Sequence, residues 1–417
     1  MGLLKTSLLS GIATIIKILN SFILNKILAI YVGPTGYMLM GQFQNFIQIV
    51  TVFSGSAINN GVVKYTAEYY GDELKQRVVW RTAGTIIFIF SLIVSILILF
   101  FKKKLSLYLF NTAEYEIVFV WFAFFLIFFN FNAFLIAILN GKKEISRLTI
   151  TNIIGSFISL IISTLLSVKF GILGALISLS IYQSLNFIVT LFVCYKRDWF
   201  NINYFLGEID PIVKKQLSAF ALMALIYAIF TPVSQIVVRY YLAQEFGLNY
   251  AGYWEAMNKI SNSILMLVTT VLSIYYLPKL SELKRFIDVK NEVYNSYKFV
   301  FPFAFIGCSL AYIWKDWIIT LLFTKEFSPV RDLFFWQMLG DILKIGSWVL
   351  AYVMTSKAMV KLFIITEILF SLLYILLVII STKFLGFTGA SLGYAINYAL
   401  YWIVLSLLVF KQLRGNI

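Results

Sequence analysis

The sequence predicts an all-α polytopic membrane protein with about twelve transmembrane helices. Hydrophobic residues make up 61% of the chain and charged residues only 13%, and the mean hydropathy is +0.88. A soluble domain contains about 25% charged residues, so this composition excludes an ordinary soluble fold. Two further observations support the prediction. Apolar segments of membrane-spanning length recur along the chain, and the two halves of the chain resemble each other.

Twelve apolar segments have the length that a spanning helix needs, which is about 17 to 25 residues. The first of them lacks the short apolar core and small-residue cleavage site of a signal peptide, so we interpret it as a span. The approximate limits of the twelve predicted spans are 4–32, 37–63, 82–101, 116–140, 148–167, 172–194, 217–243, 251–277, 299–315, 333–354, 362–382 and 389–410.

The basic residues predict the orientation of these spans. When Lys5 is counted with the N-terminus, the termini and the even-numbered connections hold 21 of the 34 Lys and Arg residues, the odd-numbered connections hold 7, and 6 lie within spans. Cytoplasmic loops carry the excess of Lys and Arg, which predicts that both termini are cytoplasmic. This asymmetry explains most of the net charge of +15 without a nucleic-acid partner. Lys102, Lys103 and Lys104 are the exception, and we interpret them as part of a short interfacial helix on the outer side.

Two longer connections organise the chain. Residues 195–216, which include Asp210 and Pro211, separate a predicted N-terminal six-helix bundle, 1–210, from a C-terminal bundle, 211–417. Residues 277–298 contain the charged stretch SELKRFIDVKNEVYNSYK, which predicts an amphipathic cytoplasmic helix. Neither connection has the composition of an independent domain.

An internal repeat relates the two halves at an offset of roughly 212 to 216 residues. Six spans is an even number, so the halves should share one orientation and be related by a pseudo-two-fold axis along the membrane normal. In transporters built in this way the substrate site lies between the halves, near the midplane. The matching pairs are 169–175 with 383–390, 107–115 with 320–327, Lys142 with Lys357, and Lys26 with Arg239.

Each half places one cation near the middle of a span, Lys17 in span 1 and Lys344 in span 10. A charge at that depth costs at least about 2.5 kcal/mol, so such groups usually face water, a partner charge or a substrate. Asp341 and Lys344 lie on one helical face together with Gln337 and Trp348. One interpretation is a polar stripe that faces a cavity, and the other is structural pairing of Asp341 with Lys344.

Further polar positions lie within the spans. Lys26 and Arg239 are nearer the span ends, where they either snorkel to headgroups or face the cavity. Arg239 ends a stripe with Tyr227, Thr231 and Gln235, and Pro232 is expected to kink that helix. Span 2 carries a polar stripe, and span 8 carries an ion pair at the favoured i, i+4 spacing. These residues are Gln44, Gln48, Thr51, Gly55 and Asn59 in span 2, Glu255 and Lys259 with Asn262 in span 8, and Glu367 in span 11.

A cationic, amide-rich cavity suits an anion joined to a hydroxylated body, because Lys and Arg bind phosphate and amides bind hydroxyl groups. Histidine is absent, so a proton relay would use carboxylates or water. The two cysteines, Cys194 and Cys308, imply no disulfide framework. The sequence predicts no metal site, no cofactor and no catalytic residue.

Several motifs resemble the polysaccharide flippase branch of the transporter superfamily that also contains multidrug extruders and peptidoglycan-precursor flippases. The resemblance covers essentially the whole chain. Within this branch, the chain looks most like translocases of O-antigen and enterobacterial-common-antigen repeat units. The motifs that carry it are Lys17 with Lys26, Gly33-Pro34-Thr35-Gly36, Asn60-Gly61-Val62-Val63-Lys64-Tyr65, Arg331-Asp332-Leu333-Phe334 with Trp336-Gln337, and Gly340-Asp341-Ile342-Leu343-Lys344.

The resemblance implies that the protein moves an undecaprenyl-pyrophosphate-linked oligosaccharide to the periplasmic leaflet of the bacterial inner membrane by alternating access. It implies that the pyrophosphate of the cargo contacts Lys17, Lys344 and Arg239. The polar positions within the spans add Lys26, Lys259, Gln44 and Gln48 as candidate substrate-binding residues. It also implies an H⁺ or Na⁺ counter-ion, with Asp341, Glu367 and Glu255 as the coupling candidates. Implied partners are the lipid-linked cargo, membrane lipid, and the polymerase and chain-length regulator of the same pathway.

Four other functions fit the sequence less well. An exporter of organic cations with the same fold would favour an acidic or aromatic pocket. A peptidoglycan lipid II flippase favours arginine in the first span, where this chain has Lys17 and Asn20. An integral membrane polymerase, ligase or acyltransferase usually carries catalytic residues in large outer loops, which this chain lacks. A scaffold protein would not need midplane lysines.

Overall fold

The computed structural model describes residues 3–272, 276, 279–280, 283, 285–357 and 359–415, and these residues are helical almost throughout. Thirteen α-helices lie within this described part of the chain, which contains no β-strand. They are α1 (Leu3–Tyr31), α2 (Gly33–Phe53), α3 (Asn59–Glu68), α4 (Glu73–Phe110), α5 (Glu116–Gly141), α6 (Ile145–Tyr195), α7 (Pro211–Phe246), α8 (Leu248–Val271), α9 (Phe286–Ile313), α10 (Lys315–Leu322), α11 (Phe334–Ser356), α12 (Val360–Leu385) and α13 (Gly389–Gly415). Short 3₁₀ segments cover Ser56–Ile58, Ile202–Tyr204, Lys325–Leu333 and Gly386–Thr388.

The helices have the length and composition of membrane spans. Among the described residues, seven helical stretches are long and apolar enough to cross a membrane, or eight if the bent pair α2 and α3 forms one span. Two of the seven are 51 and 55 residues long, more than twice the roughly 20 residues of one span, so each can supply two crossings. The chain is therefore an all-α polytopic membrane protein, as predicted. The predicted span 251–277 extends past α8 to Leu277, which lies outside the described residues.

Backbone breaks at two glycines divide the longest stretches. Gly171 interrupts α6 with φ 56° and ψ −132°, and Gly386 separates α12 from α13 with φ 60° and ψ −145°. Residues with a Cβ atom avoid this left-handed region, whereas glycine enters it at little cost. The two glycines are 215 residues apart. Gly171 ends the span that begins at Ile145, and Gly386 ends the span that begins at Val360. The predicted spans 148–167 and 172–194 are thus two parts of one interrupted helix.

Three helices depart from the sequence prediction. The polar stripe of span 2 does not form one continuous helical face, because Gly55, with φ 120°, separates α2 from α3 at a bend of 71°. Lys102 to Lys104 do not begin a separate interfacial helix, since α4 continues without a break to Phe110 and ends at the left-handed Asn111. The helix predicted after residue 281 begins at Phe286 and continues into span 9 as α9, and residues 281, 282 and 284 lie outside the described part.

The chain forms two compact units. The first contains Met1–Val32 and Leu39–Pro232, and the second contains Gly33–Met38 and Val233–Ile417. The sequence-predicted boundary at residue 210 remains a prediction, since the structural division falls within α7. The short segment that begins α2 belongs to the second unit because it packs on α8, where a Cβ at Gly252 would lie 1.9 Å from the carbonyl oxygen of Pro34.

The internal repeat is visible in the backbone. At the end of α5, Lys142 N–H donates to Ile138 and Glu144 N–H donates to Leu139, at 2.8 and 3.0 Å. At the end of α11, Lys357 N–H donates to Val353 and Met359 N–H donates to Met354, at 3.0 and 2.8 Å. The two turns have the same pattern at an offset of 215 residues, which also relates the breaks at Gly171 and Gly386.

Candidate functional site

Asp341 is the centre of a buried polar network in the second unit. The side chain of Asp341 on α11 is fully buried, and its Oδ1 accepts hydrogen bonds from Ser261 Oγ at 2.7 Å and Tyr394 OH at 2.8 Å. Gln337 Nε2 donates to Ser261 Oγ at 3.4 Å, and Ser391 Oγ donates to Gln337 Oε1 at 3.2 Å. The second oxygen, Oδ2, has no hydrogen-bond partner among the described residues. The network therefore joins α8, α11 and α13 around one carboxyl group.

Lys344 lies one turn further along α11, against aromatic rings. Its Nζ is 5.2 Å from the ring centre of Trp348, 5.3 Å from that of Tyr394 and 4.9 Å from that of Tyr398. Cation–π attraction at these distances stabilises a charged ammonium group that is only half exposed. Tyr394 therefore contacts Asp341 through its hydroxyl and Lys344 through its ring.

Arg239, Glu255 and Lys259 form a second charged group in this unit. Arg239 Nη2 and Glu255 Oε2 are 2.5 Å apart, and Lys259 Nζ lies 3.5 Å from Glu255 Oε1. Arg239 and Glu255 are only 2% and 5% exposed, and the guanidinium group of Arg239 lies 5.4 Å from the ring centre of Trp254. A side chain this buried does not snorkel to headgroups. The group brings two cations, Arg239 and Lys259, to the carboxylate of Glu255.

The fold itself does not require the Asp341 network. The offset of 215 residues relates Gln337, Asp341, Ser391 and Tyr394 to positions of the first unit that are all apolar and buried. Those positions are Phe122, Leu126, Leu176 and Leu179. At these four corresponding positions, one unit therefore has apolar side chains and the other has polar side chains. A polar group that packing does not demand is a candidate for function.

The remaining predicted site residues lie as follows. In the first unit, Lys17 on α1 and Gln48 on α2 are exposed, while Lys26 on α1 and Gln44 on α2 are half-buried. In the second unit, Glu367 on α12 is half-buried. The structure brings Glu255 together with both Arg239 and Lys259, and it links Asp341 to Lys344 through Tyr394. A shared substrate site for all these residues remains a prediction, and the side chain of Tyr227 lies outside the described part.

Sequence reasoning missed Ser261, Ser391, Tyr394 and Tyr398. The two tyrosines could have been predicted from the sequence, because their i, i+4 spacing places both hydroxyl-bearing rings on one face of span 12. The two serines could not have been predicted, since serine is common in membrane helices and often only forms a hydrogen bond to the backbone of its own helix. Their role depends on neighbours from α11 that are 54 to 80 residues away in the chain.

Comparison with known proteins gives one family. The model of the family described as polysaccharide biosynthesis protein matches residues 3–284, about two thirds of the chain. Proteins named "Lipid III flippase" from Escherichia coli and Shigella flexneri are each 30% identical over 403 residues, which is 96% of this chain and 97% of each relative.

Solved structures with the same fold are transporters. An inward-facing multidrug resistance MATE family transporter of the MOP superfamily has a TM-score of 0.77 at 15% identity, covering 96% of this chain and 95% of that one. A mutant MATE transporter of Vibrio cholerae has a TM-score of 0.74 at 14% identity, covering 99% and 97%. These likenesses show the fold, which consists of two six-helix bundles. The family match and the relatives of nearly equal length confirm the resemblance seen in the motifs, and the chain belongs to the polysaccharide biosynthesis protein family.

Proposed function

We propose that this protein moves undecaprenyl-pyrophosphate-linked oligosaccharide repeat units from the cytoplasmic to the periplasmic leaflet by alternating access. The observation that carries the proposal is the 30% identity, over 96% of the chain, to proteins named for flipping a lipid. The relatives are flippases and transporters rather than enzymes. The proposed cargo is therefore carried unchanged across the membrane.

Cationic side chains would hold the pyrophosphate of this cargo. In the second unit Arg239 and Lys259 both contact Glu255, which places two cations close together where we propose that the pyrophosphate binds. Lys344 lies against three aromatic rings, and such rings also stack on sugar faces. In the first unit we assign the same role to Lys17 and Lys26, with Gln44 and Gln48 bonding sugar hydroxyls.

Ion coupling is the second part of the proposal, with H⁺ or Na⁺ as the counter-ion. Asp341 is the leading coupling group because neutral donors, and not an ion pair, bind its Oδ1, and its Oδ2 has no hydrogen-bond partner among the described residues. A proton at Oδ2 would therefore leave both observed hydrogen bonds intact. Glu255 and Glu367 remain the other candidates.

We also propose the location and partners of the protein. The distribution of Lys and Arg supports cytoplasmic termini, and the proposed cargo places the protein in the bacterial inner membrane. The polymerase and the chain-length regulator that use the flipped unit are its proposed protein partners.

Reconstitution tests the proposed transport directly. The purified protein is placed in vesicles that contain an undecaprenyl-pyrophosphate oligosaccharide, and a membrane-impermeant glycosidase is added outside. We expect the protein to expose the inner-leaflet pool to the enzyme, while protein-free vesicles keep that pool protected. The proposal fails if the inner pool stays protected. Parallel vesicles with lipid II or with a fluorescent organic cation test the two alternative cargoes of this superfamily.

A further inference from the structure

A basic pocket lies at one end of the first unit. It has a volume of about 530 Å³ and is formed by the turn between α3 and α4, the turn between α5 and α6, and the end of α6. The positive-inside distribution predicts that this end is cytoplasmic. The residues that line it are Tyr70, Gly71, Glu73, Lys142, Lys143, Glu144, Ile145, Ser146, Arg147, Arg197 and Trp199.

Glu144 fixes two arginines at the wall of this pocket. Its Oε2 accepts from Arg147 Nη1 at 2.7 Å, while its Oε1 accepts from Trp199 Nε1 at 2.8 Å and lies 3.3 Å from Arg197 Nε. The side chain of Glu144 is 11% exposed, and those of the two arginines are 35% and 32% exposed. An arginine has five N–H donors, and one carboxylate contact uses only part of them. Both guanidinium groups are thus held in place with donors left for an anion.

Two lysines add positive charge to the same pocket. Lys143 is exposed and adopts the left-handed conformation, with φ 58°. Lys142 lies with its Nζ 5.4 Å from the ring centre of Trp80, and partial burial lowers the pKa of its ammonium group. With both arginines, the lining holds four cations against two carboxylates, and one of these, Glu73, also pairs with Arg77 at 2.8 Å. The pocket therefore favours an anion.

The repeat shows that the turn does not need these charges. In the second unit the same turn follows α11, and the positions of Glu144, Arg147 and Arg197 are occupied by Met359, Leu362 and Gln412. The one shared cation, Lys357, donates to the backbone carbonyl groups of Leu280 and Leu283 instead of lining a charged pocket. The charged set belongs to the first unit alone, which points to binding rather than to turn formation.

An apolar stripe continues from the pocket along α6. It starts one turn after Arg147 and has the spacing of a single helical face. Its side chains are between 39% and 64% exposed, so neither α1 nor α5, the main partners of α6, covers them. The residues of this stripe are Ile150, Ile154, Phe157, Ile161 and Leu165. Basic pocket and apolar stripe together match a phosphate head and a hydrocarbon chain.

We propose that Lys143, Arg147 and Arg197 bind the phosphate group of a membrane lipid whose hydrocarbon chain lies along the exposed stripe of α6. Basic pockets between transmembrane helices commonly bind anionic headgroups on the cytoplasmic side. The pocket is lined by none of the proposed translocation residues, so the proposal stands whether or not the protein flips a glycolipid. The lipid is either an anionic phospholipid of the bilayer or a polyprenyl phosphate, which share the phosphate and the chain.

Native mass spectrometry of the full chain in detergent tests this site. Phosphatidylglycerol and a polyprenyl phosphate are titrated separately, beside diacylglycerol, which lacks the phosphate, and inorganic phosphate, which lacks the chain. We expect saturable binding of at least one phosphate-bearing lipid, and weaker binding of both diacylglycerol and inorganic phosphate by more than about tenfold. The lipid that binds more tightly identifies the natural source of the phosphate.

Substitutions in the pocket distinguish lipid binding at this site from a general attraction of anionic lipids to a basic protein. Lys143→Asn removes one charge and keeps a residue that tolerates the left-handed conformation, and it should weaken lipid binding about fivefold. Arg147→Gln with Arg197→Gln should weaken it more than about tenfold. Lys196→Asn is the matched control, because this exposed lysine precedes Arg197 but does not line the pocket.

The melting temperature of each variant is measured first, and Lys143→Asn should melt like the wild type. Equal lipid affinity in the wild type and in folded Lys143→Asn and Arg147→Gln/Arg197→Gln proteins would overturn the proposal. Binding of diacylglycerol or of inorganic phosphate as tight as that of the phosphate-bearing lipids would also overturn it.

Discussion

At the scale of single residues, the two buried carboxylates in the described part of the second unit are stabilised in different ways. Glu255 lies between two cations, whereas Asp341 accepts hydrogen bonds from two neutral hydroxyl groups. Protonating Glu255 would break a buried ion pair and leave Arg239 without its counter-charge. Protonating Asp341 at Oδ2 would break no observed bond. We therefore expect Asp341, rather than Glu255, to be the coupling group.

Replacing Asp341 with asparagine should remove ion coupling and leave the fold intact. The variant keeps an oxygen acceptor for Ser261 and Tyr394 but can no longer gain or lose a charge. Cargo movement in vesicles is measured with and without an imposed H⁺ or Na⁺ gradient, and the gradient should stop stimulating the variant. Asp332→Asn, an exposed substitution next to the same helix, should respond like the wild type. Full stimulation of Asp341→Asn would exclude Asp341 as the coupling group.

The buried ion pair between Arg239 and Glu255 should show strong coupling in a double-mutant cycle. Arg239→Gln alone leaves a buried carboxylate with only the longer contact to Lys259, and this should cost about 3 to 5 kcal/mol. Arg239→Gln combined with Glu255→Gln should recover part of that loss. Unfolding of the purified variants in detergent measures the difference. Arg331→Gln is the control: its ion pair with Asp316 is exposed, so this substitution should lower the free energy of unfolding by less than about 1 kcal/mol. Additive losses of stability from Arg239→Gln and Glu255→Gln would contradict the coupling.

At the scale of helices, hydrophobicity predicts where spans lie but not where they stop. Within the described residues, the predicted apolar segments lie mainly on helices because a backbone in hydrocarbon must bond itself internally. Ends and breaks depend instead on single residues, such as Gly55 in span 2 and Asn111 after α4. Neighbours distant in the chain were equally unpredictable, because Ser261 meets Asp341 only through the packing of α8 on α11. The sequence thus made Asp341 a candidate functional residue without indicating its partners.

The breaks at Gly171 and Gly386 should resist substitution. A Cβ atom would meet no closer neighbour than 3.9 Å at Gly171 and none within 4 Å at Gly386, so only the backbone conformation opposes alanine. We expect Gly171→Ala and Gly386→Ala each to lower stability by about 1 to 3 kcal/mol. Gly307→Ala in α9 is the control, since it has an ordinary helical backbone and open space, and it should be neutral or stabilising by up to about 1 kcal/mol. Equal melting temperatures for all three variants would refute the argument.

At the scale of the whole molecule, two units share a backbone plan and differ in their interior chemistry. The first unit contains a polar cluster around Asn130, whose Nδ2 donates hydrogen bonds to Ser54 Oγ at 2.7 Å and to Ser91 Oγ at 2.8 Å. The corresponding position in the second unit is Ile345, in an apolar cluster. The buried carboxylates occur in the described residues of the second unit alone. We therefore expect the two units to make unequal contributions to transport.

Lys17 and Lys344 should both be essential for assembly of the surface glycan. Each lies within a span of a different unit, and each is accessible enough to meet an anion, Lys17 being exposed and Lys344 half-buried. Lys17→Ala and Lys344→Ala should each abolish surface glycan while the protein remains in the membrane, as measured by glycan blotting and membrane fractionation. Lys325→Ala, another exposed lysine, serves as the control. Wild-type glycan in both single variants would remove the anion-binding role.

The predicted orientation can be tested with single cysteines. The native Cys194 and Cys308 are both buried, so their background reaction with a polar reagent should be low. A membrane-impermeant maleimide added to intact spheroplasts should label Lys103→Cys and spare Lys143→Cys, which should react only after permeabilisation. The opposite labelling pattern would reverse the orientation and would place the basic pocket on the periplasmic side.

The matching turns at Lys142 and Lys357 are best explained by duplication of an ancestral six-helix segment. Once two copies exist, mutations that would inactivate a lone copy are tolerated in one of them. Leu126 and its counterpart Asp341 show how the two copies have diverged, since one is buried and apolar and the other is buried and ionisable. A protein built from two copies of the first half would lack this buried carboxylate, and we therefore expect that an ion gradient would not drive it.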